Sequence, residues 1–90
     1  MDELQFIAHL KEGNSSAYNQ LIFQYGDKVF NTVISILQNQ EDAEDVTQEV
    51  FIAVFNSIKD FKSESKLSTC IYKIALTKAL EFLRKKKKKK

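Results

Sequence analysis

Apolar residues recur along this 90-residue chain at intervals of three and four, the spacing of helices, and four such segments follow one another. The first spans about Asp2 to Glu12, with Leu4, Ile7, Ala8 and Leu10 apolar and Gly13 as its stop. Asn14, Ser15 or Ser16 then caps a second helix that reaches about Gln38. Its stripe is Tyr18, Leu21, Ile22, Tyr25, Val29, Val33, Ile36 and Leu37, close to a heptad. Gly26 lies inside it, at a cost of roughly 1 kcal/mol against alanine unless close packing compensates. After a break at Asn39 and Gln40, the third segment runs from about Glu41 to Ile58. Asp60 to Ser65 reads as a polar loop that holds one aromatic, Phe61. The fourth helix starts near Ser65 or Lys66 and continues at least to Arg84, and repulsion among Lys85 to Lys90 predicts a frayed end.

Absence of proline, with only two glycines, argues for helices and against a turn-rich β fold. The expected architecture is all-α: a small orthogonal or antiparallel bundle of about four helices over residues 1–84. Residues 85–90 are expected to form a basic tail or the start of a linker. A chain of this size can bury a core, though not a deep one.

Charge changes this picture. Residues 1–64 carry eleven acids against four lysines, a net of −7, whereas residues 65–90 carry nine lysines and Arg84 against Glu81, a net of +9. Such polarity suggests one basic partner surface and one polyanionic partner. On the third segment Ala43, Val46, Val50, Val54 and Ile58 share the core side, with Phe51 and Phe55 on a flank. Glu41, Asp45, Gln48, Ile52 and Asn56 fall opposite, beside Asp42 and Glu49. Acids in a first helical turn complement the macrodipole at about 0.3–1 kcal/mol each, which accounts for Glu41, Asp42 and Glu44. It does not account for Glu49, nor for Ile52 at the centre of the polar face. An acidic surface around one apolar residue suits docking by a basic helix; an ordinary solvated face is the alternative.

The fourth segment has the complementary pattern. Leu67, Ile71, Ile74, Ala75, Ala79 and Phe82 fall on the core side, and Lys66, Thr69, Lys73, Thr77, Leu80, Arg84 and Lys87 on the other. A basic and hydroxyl stripe about four turns long matches a phosphate backbone. Tyr72 on its flank and Phe61 in the preceding loop add aromatics of the kind used to stack single-stranded bases. Each aromatic also has a packing reading.

Other chemistries are excluded by pattern. No glycine-rich phosphate loop is present, and the acidic run has Thr47 and Ala53 where a calcium loop starting at Asp42 needs glycine and glutamate. Cys70 is the single cysteine and His9 the single histidine, so neither an internal disulfide nor a zinc site can be assembled, and nothing in the sequence brings His9 to Cys70 as the base of a thiol nucleophile. No metal, cofactor or enzymatic reaction is expected. The longest apolar run, Val50 to Phe55, is too short to span a bilayer, and the acidic N-terminus lacks a signal core, so membrane insertion is not expected and a reducing cytoplasm fits.

Three segments together carry a family resemblance. EGNSSAYNQLIFQYGDKVFNTV, EDAEDVTQEVFIAVFNSIKDF and STCIYKIALTKALEFLRKK occur in the order of the second conserved region of bacterial sigma factors of the extracytoplasmic-function (ECF) type. In the first, Gly13, Ala17, Tyr18, Leu21 and Tyr25 are in register. Asp42, Ala43, Asp45, Gln48, Glu49, Phe51 and Phe61 are so in the second, and Tyr72, Ile74, Ala79 and Arg84 in the third. The resemblance implies that the third helix docks on the clamp coiled coil of the largest RNA polymerase subunit through Asp45, Gln48 and Glu49, with Ile52 and Glu41 on the same face. It implies that residues 60–84 recognise the minus-ten promoter element and hold its non-template strand, through Phe61, Lys62, Ser63, Lys66, Thr69, Tyr72, Lys73, Thr77 and Arg84. It also admits an anti-sigma factor as a partner.

Two positions depart from the pattern. Cys70 stands where the family usually has tryptophan, and Thr77 where it has asparagine, which replaces a bidentate amide with one hydroxyl. The helix-turn-helix domain that binds the minus-thirty-five element is not in the chain, which therefore reads as a piece of a longer protein. Two rival readings remain at this level. One is a helical protein-interaction adaptor; the other is a non-specific nucleic-acid-binding module.

Overall fold

Two asparagines decide where two of the three long helices begin. In the computed structural model, which describes residues 3–61 and 66–88, four helices follow one another: α1 (Glu3–Lys11), α2 (Ser15–Leu37), α3 (Gln40–Ile58) and α4 (Leu67–Lys88). No strand occurs among the described residues. The Asn14 side-chain oxygen accepts from the Ala17 N–H at 3.1 Å, and that of Asn39 accepts from the Asp42 N–H at 2.9 Å. Each satisfies one donor that a helix start leaves without a partner. Between α1 and α2, Gly13 adopts φ 79°, a left-handed conformation that costs glycine nothing. Gln38 ends α2 in the same region, at φ 54°, and donates its N–H to the Ile34 carbonyl at 2.8 Å.

The core forms where α2, α3 and α4 pack pairwise, and α1 lies against α2 and α3. From α3, Ala43, Val46, Val50 and Val54 are fully buried. They meet a cluster that includes Leu21 and Val33 of α2, Leu67, Ile71, Ala75 and Ala79 of α4, and Phe6, Ile7 and Leu10 of α1. Burying a side chain such as valine or leucine contributes about 1.5–3 kcal/mol, so this seam dominates stability. A second contact fixes α2 on α3. The Tyr18 hydroxyl donates to the Phe51 carbonyl, and the Tyr18 ring meets Phe55 edge-on, with centroids 4.6 Å apart and planes at 84°. Partial burial pushes the Tyr18 phenol above its ordinary range.

The expected four-helix, all-α architecture is therefore present, with differences in detail. On α1, Leu4 and Ala8 face solvent, whereas Phe6 joins Ile7 and Leu10 in the core. On α2, Ile22 is exposed, and Phe30 and Ile34 pack partly against the core beside the expected Ile36 and Leu37. The α4 helix extends past Arg84 through Lys88. Lysine is a good helix former, cations at a helix C-terminus complement the macrodipole, and the Lys86 ammonium pairs with the Asp42 carboxylate at 2.6 Å. Lys89 and Lys90 lie outside the described residues.

Gly26 has no close packing that would require it: a Cβ built there meets only the Ile22 Cγ2, at 4.0 Å. Gly26→Ala should therefore stabilise the domain by about 0.5–1 kcal/mol, read as a raised melting temperature. Tyr18→Phe keeps the ring contact and removes the hydrogen bond, so it should cost about 0.5–1.5 kcal/mol in a denaturant titration, with the helical circular dichroism signal unchanged.

Candidate nucleic-acid and protein interfaces

Because α3 buries Val46, Val50 and Val54 on one side, the helical repeat sends Asp45, Gln48, Glu49 and Ile52 to the other. All four are exposed, as is Glu41 one turn earlier, and Ile52 is 60% exposed although apolar. No ion pair within the described residues engages Glu41, Asp45 or Glu49. Beside Ile52 lies a shallow apolar groove lined by Tyr18, Asn19 and Phe55 together with Gly13 and Ser15. Asp42 behaves differently: it is half-buried, its N–H is capped by Asn39, and its carboxylate holds Lys86.

The α4 helix presents Lys66, at the residue just before it, and then Thr69, Lys73, Thr77 and Arg84 to solvent along one side. Tyr72 is 55% exposed on the flank. Two of the expected contacts, Lys62 and Ser63, lie outside the described residues. Phe61 departs from the expectation: its ring is only 9% exposed and belongs to the core cluster. In this structure it is not a free stacking platform. The physical reason is its position three residues past the end of α3, where the Phe61 N–H donates back to the Ile58 carbonyl at 3.1 Å and keeps the chain against the core cluster that takes the ring.

The structure also assembles a groove of about 340 Å³ between α2 and α4 that sequence reasoning did not anticipate. Tyr25, Lys28 and Thr32 line it from α2, and Ser68, Thr69 and Tyr72 from α4. Burial, with a smaller effect from the Glu3 carboxylate, pushes the Tyr25 phenol up, so it is a neutral hydrogen-bonding group at neutral pH. Periodicity puts Tyr25 in the α2 core stripe and says nothing of Lys28 or Thr32; only the pairing of α2 with α4 brings all three beside Thr69 and Tyr72.

Cys70 is half-buried on the edge of the α4 core face. Burial raises its thiol above the usual range and nearby Lys73 pulls it down less strongly, so it stays a thiol at neutral pH. No group of acidic, histidine or cysteine side chains among the described residues is arranged to hold a metal, and no described helix is long and apolar enough to cross a membrane.

With this geometry in place, comparison with known proteins gives the family. The model of Sigma-70 region 2 matches residues 21–89. The ECF RNA polymerase sigma factor SigW of Bacillus subtilis is 35% identical over 81 residues, which covers 90% of this chain and 43% of that protein. The ECF RNA polymerase sigma-E factor of Haemophilus influenzae is 32% identical over 77 residues, 86% of this chain and 40% of the relative. Among solved structures, an engineered region 2 of sigmaE in complex with GTAAAA superposes with a TM-score of 0.81 at 30% identity, over 92% of this chain and 90% of that one. The chain belongs to the Sigma-70 region 2 family. It spans less than half the length of the curated relatives it matches.

Cys70→Ser should leave nucleic-acid binding intact and lower stability by no more than about 1–2 kcal/mol, the cost of a partly buried hydroxyl. Parallel anisotropy and thermal-melt measurements check both halves of this expectation.

Proposed function

We propose that this chain is the domain of an ECF sigma factor that docks on RNA polymerase core and recognises and helps open the minus-ten promoter element. It acts by binding, without catalysing a reaction. One observation carries the reading. A single buried seam holds an unpaired acidic face on α3 and a basic face on α4, so two partners of opposite charge can be engaged at once. The family supports it, as does the sigmaE relative, whose structure is a complex with GTAAAA.

On this reading Asp45, Gln48, Glu49 and Ile52, with Glu41 at the edge, meet a basic helix of the polymerase clamp. Exposed Ile52 supplies the apolar centre and the acids its rim, the arrangement that steers association and fixes register. Lys66, Lys73 and Arg84, together with Lys62, neutralise phosphates of the non-template strand. Thr69, Thr77 and Ser63 donate hydroxyl hydrogen bonds, and Tyr72 offers a face for stacking. On this reading the strand also meets the aromatic and hydroxyl groups that line the groove between Tyr25 and Tyr72. An anti-sigma factor covering either face would block assembly, and the whole process belongs in the cytoplasm.

The test is fluorescence anisotropy of a minus-ten non-template strand over a salt series, with polymerase core present and absent. Affinity should fall with a log–log slope of about −0.7 per phosphate neutralised. Lys73→Ala and Arg84→Ala should each flatten that slope by roughly one unit at most, equally for every sequence. Tyr72→Ala should cost about 1–3 kcal/mol per base stacked with little change in slope. Asp45→Lys should weaken capture by polymerase core severalfold while the helical signal stays intact. Core capture unaffected by Asp45→Lys would remove the docking face. A core-dependent complex insensitive to salt, Lys73 and Arg84 would favour the adaptor reading, and strand binding indifferent to both sequence and core would favour the non-specific module.

A further inference from the structure

The geometry points to Lys11 as a positioning residue for promoter recognition, an inference that rests on the reading of the α4 face given above. Lys11 lies in the last turn of α1, ahead of the matched region 21–89. Its ammonium donates to the carbonyl of Phe61 at 3.0 Å, across fifty positions of sequence.

That carbonyl is a telling acceptor. Phe61 is the point at which the chain leaves α3 for the DNA-facing helix, and five peptide units join it to Lys66. Three independent contacts hold it. Its ring sits in the same buried cluster as Phe6, Ile7 and Leu10 of α1, its N–H is bound by the Ile58 carbonyl, and its own carbonyl is bound by Lys11. The first two fix depth and direction. The third resists rotation of the peptide plane that follows Phe61, because turning that carbonyl away from Lys11 breaks a hydrogen bond. An ammonium is well suited to the task, since the C-terminal end of α3 carries the negative pole of its helix.

Lys11 is itself solvent-exposed, so its bond contributes little to global stability and its effect is local. It therefore acts on where the segment before Lys66 starts, and through that on which bases the face of Lys66, Thr69 and Tyr72 can select. A direct phosphate contact by Lys11 would behave differently: it would add the same affinity to every strand and steepen the salt dependence.

These two roles separate in one experiment on the full chain. Wild type, Lys11→Met, Lys11→Gln and Lys11→Arg are titrated against a strand containing GTAAAA and against a shuffled strand of equal composition, at several salt concentrations, with melting temperatures measured alongside. Lys11→Met should lower the affinity ratio between the strands by roughly three- to tenfold, the range a single hydrogen bond supports. The salt slope should match wild type, Lys11→Gln should behave like Lys11→Met, and Lys11→Arg should restore the ratio. An unchanged ratio in folded Lys11→Met and Lys11→Gln overturns the inference, as does an equal loss on both strands with a flatter slope. A wild type that does not distinguish the strands sinks the reading of the α4 face itself, and this inference with it.

Discussion

Everything else in this domain depends on the one-sidedness of α3. Ala43, Val46, Val50 and Val54 are wholly removed from water, and the helix that carries them touches each of the other three. A helix so placed can bury only one stripe, because its remaining surface has no neighbour to cover it. Its opposite side is thereby committed to solvent, or to a partner. The acids at its start then serve two ends. Glu41 and Asp42 stabilise the first turn through the macrodipole, while Asp45 and Glu49, beyond the reach of that effect, contribute nothing to the fold that the structure shows.

The fourth helix inherits its orientation from the same seam. Leu67, Ile71, Ala75 and Ala79 repeat every four residues, so the basic residues between them are carried outward along one side. The basic face is thus a consequence of core geometry, and its residues need no structural role of their own.

Much of this was legible in the sequence because the long helices repeat their apolar pattern over five turns or more, which leaves one phase for the core. Asn14, Asn39 and Gly13 marked the boundaries, and the structure uses all three. The nine-residue α1 is less legible, since two or three turns fit more than one phase: Leu4 is 63% exposed and Phe6 takes its place inside. Phe61 carries two readings in the sequence, packing and stacking, and its side chain is buried here. A single aromatic in a polar loop has no periodicity of its own, and only the tertiary fold decides whether its ring turns in or out. Phe23, 89% exposed on α2, gave no signal at all, because an apolar residue outside the stripe has no pattern to belong to. The Lys11–Phe61 bond and the groove between α2 and α4 join residues distant in sequence, which no local pattern reports.

The contact between Asp42 and Lys86 has a consequence for how charge should be counted here. The lysines near the end of α4 invite the view that each is a free cation awaiting a phosphate. Lys86 is not: it already holds a carboxylate, at 2.6 Å. A polyanion that takes this ammonium must first displace Asp42, so the event is an exchange of one anion for another. The carboxylate set free then needs a counterion of its own, which offsets the one the phosphate gives up. Around this pair, the number of ions liberated on binding falls short of the number of lysines engaged. The difference measures how far the domain carries its own substitute for nucleic acid.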